Sequence, residues 1–156
     1  MKITLLVVGK TTDAHIEALL QDYQKRLVHY VPFCIAVIPE LKNTKSLTSE
    51  QQKQAEGELI LRQITPSTDM ILLDERGKEY RSIEYADYLQ KKMSSGRDVV
   101  FVVGGPYGFS QAVYERANGK ISLSKMTFSH QMVRLFFVEQ IYRAMTILRG
   151  EPYHHE

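Results

Sequence analysis

The run Val99 to Phe109, VVFVVGGPYGF, constrains this chain more than any other stretch. Five consecutive β-branched or aromatic residues, Val99 to Val103, suit a strand buried on both faces, as in a parallel sheet. The strand stops at Gly104, Gly105, Pro106, Tyr107 and Gly108. So glycine-rich a loop lets a ligand approach the backbone closely. Open α/β sheets hold their ligands at the carboxyl ends of their strands, where this loop would lie.

The rest of the chain supplies neighbours for that strand. Ile3 to Val8 is an apolar run and reads as the first strand. Gly9-Lys10-Thr11-Thr12 looks like the end of a phosphate-binding P-loop, but Thr4 occupies the position of the required earlier glycine, which excludes one. Asp13 reads as a helix N-cap, followed by Ile16, Leu19, Leu20, Tyr23 and Leu27 at helical spacing. Pro32 closes that helix and Phe33 to Ile38 forms the second strand. Pro39 to Leu47 is polar, either a solvated connection or a substrate lid. Thr48 or Ser49 caps a helix carrying Ala55, Leu59, Ile60 and Ile64, which Gly57 weakens. Asp69 to Asp74 is the third strand. Glu75-Arg76-Gly77-Lys78 then places charge either at the ligand edge or in a surface turn. Ser82 with Tyr85 opens a helix that Gly96 terminates. Ser110 caps a short helix, Gln111 to Arg116, and Asn118-Gly119 marks a turn. This alternation predicts an α/β fold, a parallel sheet with helices on both faces, in a single domain over residues 1–156.

Composition narrows the function classes. Net charge is only +2, so any nucleic-acid partner must be met by a local patch. The single cysteine, Cys34, excludes an intramolecular disulfide and reads as a buried structural thiol within FCIAVI. Cys and His lack metal-ligand spacing, so no metal is expected. Met1 to Val8 is too short for a signal peptide, and no run of about eighteen apolar residues would span a membrane. A cytoplasmic protein is the expectation.

Two segments near the end are chemically unusual. Ile121 to Phe128, ISLSKMTF, carries hydrogen-bonding groups at Ser122, Ser124, Lys125 and Thr127. It reads either as a half-exposed edge strand or as a loop lining a ligand pocket. Gln131 to Arg149 is apolar around nearly its whole circumference, so a second copy of the chain is expected to cover what the core does not. Arg134, Glu139, Gln140 and Arg143 interrupt it and are expected to be paired, functional or both. His130 either caps this helix or touches a ligand, with Ser129 as the alternative cap.

Together GGPYG, LSKMTFSHQMVR, EQIYRA, the ending RGEPYHHE and LLDERGK at 72–78 resemble the bacterial ribosomal large subunit methyltransferase H family of the SPOUT superfamily. The resemblance covers essentially the whole chain in motif order and spacing. It implies methylation of N3 of a pseudouridine in 23S rRNA, a trefoil knot near the carboxyl end and a homodimer packed through the last helix. It implies S-adenosylmethionine held at Leu73, Gly104 and Leu123-Ser124-Lys125-Met126-Thr127-Phe128. In that setting His154 is the candidate base, Arg143 a partner for a carbonyl or phosphate oxygen, and Tyr153 a group to stack on or hydrogen-bond the target base. Glu139 either orients Arg143, pairs across the dimer or catalyses. Lysines 10, 42, 45 and 125 and Arg76, Arg134 and Arg143 are available for phosphate. The alternative is a non-enzymatic ribosome-binding protein that retains the fold. An ordinary nucleotide-dependent enzyme is disfavoured, because VVGKTTDAH lacks a G-x-G-x-x-G turn.

Overall fold

The computed structural model describes residues 1–155. Its centre is a five-stranded sheet in which every pairing is parallel and the order is β2-β1-β4-β3-β5. The strands are β1 (Ile3–Val8), β2 (Phe33–Ile38), β3 (Asp69–Glu79), β4 (Val99–Val103) and β5 (Gly119–Ser122). The helices are α1 (Ala14–Leu27), α2 (Ser49–Arg62), α3 (Ser82–Ser94), α4 (Gln111–Arg116) and α5 (Met132–Leu148). A short 3-10 turn, Thr44–Ser46, interrupts the polar connection after β2.

Successive strand residues face opposite sides of a sheet, so one continuous apolar strand feeds two cores. Leu5, Val7, Phe101 and Ile71 pack with Leu20, Leu89, Phe137 and Ile141 on the face covered by α1, α3 and α5. Leu6, Val102, Met70 and Leu72 pack with Ile60 and Val113 on the face covered by α2 and α4. Helix starts follow side-chain capping. Asp13 accepts from the amides of His15 and Ile16, and Thr48 forms a capping box with Gln51. Cys34 is only partly buried, its Sγ 3.6 Å from the Thr4 hydroxyl.

Two local readings are corrected and one open alternative is resolved. Asn118-Gly119 is no turn: Asn118 bonds the Met70 backbone through its amide and its side chain, which registers β5 against β3. ISLSKMTF is divided, β5 ending at Ser122 and the following residues forming a loop. Gly57 marks a close contact: α2 buries Glu56, Gly57 and Ile60, and a Cβ on Gly57 would lie 2.5 Å from the hydroxyl of Ser110, the N-cap of the opposing α4.

The strand that most affects the site is β3. It pairs with β5 through Ile71–Leu73, breaks register, and resumes pairing at Lys78 and Glu79. Gly77 sits so close to Ile121 that a Cβ there would lie 2.5 Å from the Ile121 backbone. The intervening Asp74, Glu75 and Arg76 are displaced from the ladder as a bulge at the carboxyl end of the sheet.

An alanine in place of a glycine in an open helix stabilises by about 0.5–1 kcal/mol. Here Gly57→Ala is expected to destabilise instead, by about 1–3 kcal/mol, because the new methyl group overpacks the α2–α4 contact. Thermal denaturation checks this; a raised Tm would show that the two helices separate freely.

Candidate active site

The carboxyl ends of β3, β4 and β5 enclose a cavity of about 490 Å³. Its walls come from Leu73 to Arg76 on the bulge, Val103 to Phe109 on the glycine loop, and the segment after β5. Tyr114 of α4, Lys53 of α2, and His130 and Val133 at the start of α5 complete it. Leu73, Gly104, Leu123, Ser124, Met126, Thr127 and Phe128 all line this space. Lys125 does not: its side chain is exposed, with its ammonium 3.9 Å from Glu79. Met126 and Tyr107 stand exposed at the rim.

The bulge brings a charged network to the wall. Asp74 accepts from the Tyr114 hydroxyl and from the Arg76 amide, and the Arg76 guanidinium donates to the Tyr114 hydroxyl at 3.1 Å. Burial pushes the Asp74 carboxyl up, but these donors and the positive charges of Arg76 and Lys120 outweigh it and hold it below the usual range. On the other side lies Glu56, buried behind the glycine loop. A Cβ on Gly105 would fall 2.2 Å from its Oε1, so glycine is the residue that fits there. Oε1 has no hydrogen-bond partner among the described residues, while Oε2 accepts from Gln52 at 3.3 Å. Burial pushes this carboxyl above the usual glutamate range.

Arg134 is placed differently from the sequence expectation. It is buried, and it donates to the Val8 carbonyl, the Thr11 hydroxyl and the His130 carbonyl. It therefore ties the turn after β1 to the start of α5 and is not available to phosphate. Ser129, rather than the His130 side chain, receives the first helical amides: its hydroxyl accepts from Met132 and its carbonyl from Val133.

The candidate catalytic trio forms a second cluster. Arg143 donates to Glu139 at 2.7 Å and reaches His154 Nδ1 at 3.1 Å. The Tyr153 hydroxyl donates to Glu139 at 2.9 Å and lies 3.1 Å from the Tyr23 hydroxyl. A guanidinium only donates, so Nδ1 of His154 is the acceptor and the imidazole proton sits on Nε2. Glu139 thus orients both Arg143 and Tyr153. Burial, together with the Tyr23 and Glu139 contacts, raises the Tyr153 phenol well above its ordinary range, so it stays protonated. The tail is fastened, not frayed: the Glu151 amide donates to the Thr146 carbonyl, Tyr30 donates to the Glu151 carboxylate at 2.5 Å, and Tyr142 packs edge-on against Tyr23, Tyr30 and Tyr153.

None of the trio lines the cavity. Val133 lines it and Arg143 lies ten residues further along the same helix, a rise of about 15 Å. Among the described residues no group of His, Cys, Asp or Glu is arranged to hold a metal ion, and no helix is long and apolar enough to cross a membrane.

Comparison with known proteins is decisive about kinship. Residues 1–154 match the family described as "Predicted SPOUT methyltransferase". The chain belongs to that family. Full-length relatives carry the name ribosomal RNA large subunit methyltransferase H. The one from Bacteroides thetaiotaomicron is 61% identical, with 100% of each chain covered. Those from Parabacteroides distasonis and Flavobacterium psychrophilum are 59% and 57% identical, again with 100% of each chain covered.

In this SPOUT methyltransferase, Lys53, Glu56 and Tyr114 are wall or near-wall residues that sequence reasoning missed. Helical spacing held a signal for one of them: Glu56 lies one turn before the buried Ile60, on the face of α2 that packs inward.

Glu56 also predicts a pH dependence. In the unfolded chain its carboxyl ionises in the ordinary range, whereas the folded protein holds the proton to higher pH. Between the two values the folded state binds more protons, so this group lowers stability as pH rises above the usual glutamate range. Glu56→Gln is expected to be more stable than the parent near pH 8 by on the order of 1 kcal/mol, the scale of an unsatisfied buried oxygen. The two proteins should converge near pH 4, where both side chains are neutral. Denaturant titration at the two pH values checks this.

Proposed function

We propose that this protein transfers a methyl group from S-adenosylmethionine to N3 of a pseudouridine in 23S rRNA, acting as a cytoplasmic homodimer with a trefoil knot near its carboxyl end. The observation that carries the reading is the cavity at the carboxyl ends of β3, β4 and β5, in a chain that matches the SPOUT family along residues 1–154. The rRNA substrate is supported by the full-length relatives, which are named for it.

The residues fit the cofactor. A cavity of about 490 Å³ falls within the range of roughly 300–1,000 Å³ typical of small-molecule sites. Leu73, Leu123 and Phe128 offer apolar walls, Gly104 permits close backbone approach, and Ser124 and Thr127 add hydroxyls. When bound, S-adenosylmethionine supplies an electrophilic methyl group on a sulfonium. The protein's task is then alignment of the acceptor and control of its charge.

The acceptor nitrogen loses a proton, and the negative charge spreads onto the two flanking carbonyl oxygens. Arg143 and the Nε2–H of His154 are donors suited to those oxygens, and Tyr153 offers a ring and a protonated phenol. With Nδ1 already accepting from Arg143, His154 serves as a donor to the developing anion, and the imide proton passes to water. Because this cluster stands about 15 Å along α5 from the cavity within one chain, a complete site takes the cavity of one copy and the tail of another. Exposed Met132 and Phe136 on α5 support the helix as the dimer face. The residues left for RNA phosphates are Lys10, Lys42, Lys45, Lys125 and Arg76.

The primary test is transfer of labelled methyl to ribosomes that lack the modification, with mapping of the labelled nucleotide. Label on a 23S pseudouridine is expected; label elsewhere, or none although the cofactor binds, overturns the substrate assignment. His154→Ala and Arg143→Ala are each expected to lower the rate about 100-fold with little change in cofactor affinity. Mixed dimers of a His154→Ala chain with a Gly104→Trp chain should regain activity, since one of their two composite sites is intact. No recovery in the mixture would place tail and cavity of one site in the same chain.

A further inference from the structure

With a net charge of only +2, this chain meets RNA through local patches or not at all. Lys10, Lys42, Lys45, Arg76 and Lys125 lie at or after the carboxyl ends of β1, β2, β3 and β5, the edge of the sheet that carries the cavity. Two further arginines lie beside the tail. Arg26 is in the last turn of α1 and Arg149 caps the end of α5, and both are exposed. Each guanidinium lies over tyrosine rings: Arg26 is 4.9 Å from the centre of Tyr23 and 5.6 Å from that of Tyr142, and Arg149 is 4.3 Å from that of Tyr30. Tyr142 joins these rings to Tyr153, over which Arg143 lies at 4.8 Å. One continuous set of rings and guanidinium groups therefore runs from Arg149 past Arg26 to the candidate catalytic trio. Arg149 stands thirteen residues beyond the exposed Phe136, a rise of about 20 Å, so this face and the apolar start of α5 occupy opposite ends of the helix. Two carboxylates share the face. Glu151 accepts from the Tyr30 hydroxyl, and Asp22 lies 3.1 Å from Arg26. Both partners of the second pair are well exposed, and such pairs are weak. A guanidinium has five N–H donors, of which Asp22 on Arg26 and the His29 carbonyl on Arg149, at 2.9 Å, use only part.

We propose that Arg26 and Arg149 form a phosphate-binding face that holds the rRNA backbone flanking the target nucleoside, while the tail of the same copy addresses the base. This assignment rests on the reading of the protein as an rRNA methyltransferase. A phosphodiester presents two anionic oxygens that match the planar fork of a guanidinium. The ring beneath each arginine fixes the guanidinium before RNA arrives, so less side-chain freedom is lost on binding. As a phosphate reaches Arg26, it replaces Asp22, whose carboxylate returns to water. The contact is indifferent to sequence: it sets the register of the backbone, and recognition of the base is left to the trio. In the composite site the RNA is then gripped from both sides, by the cavity-edge cations of one copy and by the arginine face of the other.

Methyl transfer to ribosomes that lack the modification, measured over a series of salt concentrations at fixed magnesium, tests this. Arg26→Gln and Arg149→Gln are each expected to raise KM for ribosomes by about fivefold while kcat changes by less than about twofold, and the double variant should combine the two effects. The slope of log KM against log salt should fall by about 0.7–0.9 for each arginine removed. Arg26→Lys and Arg149→Lys keep the charge and should keep the slope. S-adenosylhomocysteine affinity, measured by calorimetry, should be the same in all variants. An unchanged KM and salt slope in the double variant overturns the assignment. So does a fall in kcat with KM and slope unchanged, since the arginines would then only brace the tyrosines under the tail. If the parent protein transfers no methyl group, the functional reading fails and cosedimentation with the same ribosomes decides the face separately. Weaker binding and a shallower salt slope in the double variant then support it, whereas an equal slope, or a parent that does not bind ribosomes, overturns it.

Discussion

Gly77 lies against the backbone of Ile121 with no room for a side chain between them. That contact lets β3 pair twice with the short β5, before and after a break. A strand that ran straight would carry Asp74 and Arg76 along the sheet edge. The break instead turns them upward, where Asp74, Arg76 and Tyr114 form one wall of the cavity. The glycine loop after β4 forms the floor, and the segment after β5 closes the far side. The cavity therefore depends on how two neighbouring strands share a ladder more than on any one polar contact.

Charge is distributed in two centres with different logic. Around the cavity, the Asp74 carboxyl is fully supplied with donors while the Glu56 carboxyl is under-supplied, and their acidities move in opposite directions as a result. Around the tail, Glu139 collects Arg143 and Tyr153, and Arg143 in turn fixes the tautomer of His154. Arg134 belongs to neither centre. Its guanidinium links the turn after β1 to the beginning of α5, which fixes where His130 and Val133 meet the cavity.

Most of the fold was legible because its signals are local. Apolar runs mark β1 to β4, while the short β5, GKIS, carries no such run, and Asp13, Thr48 and Ser110 cap helices as their positions suggest. The cavity-lining segments were legible for the same reason, since glycines beside a buried strand and hydroxyls in an apolar context both stand out. What escaped notice was non-local. Gly57 reads as a weak point in a helix until Ser110, from a later helix, is seen against it. Glu56 falls on the inward face of α2 by spacing, but its contact with Gly105 joins residues far apart in the sequence. Arg134 reads as a phosphate ligand, because nothing in the neighbouring sequence announces that Val8 and Thr11 need donors. The separation of His154 and Arg143 from the cavity follows from the length of α5, which the sequence does contain, though motif order alone does not reveal it.

The strand order has a consequence for synthesis. β1 is made before the other four strands of the sheet, and β2 can dock on one side of it soon afterwards. Its other neighbour is β4, which begins only at Val99, after the whole of β3 and α3. Throughout that interval one edge of the most apolar part of the sheet stays open, and open strand edges pair with whatever is near. The glycine loop follows β4 directly, so the segment that builds the cavity emerges from the ribosome just as the sheet gains the strand able to seal that edge. A nascent chain halted before Val99 would have no cavity and an unsealed sheet, and would be a natural client for a chaperone at the tunnel exit.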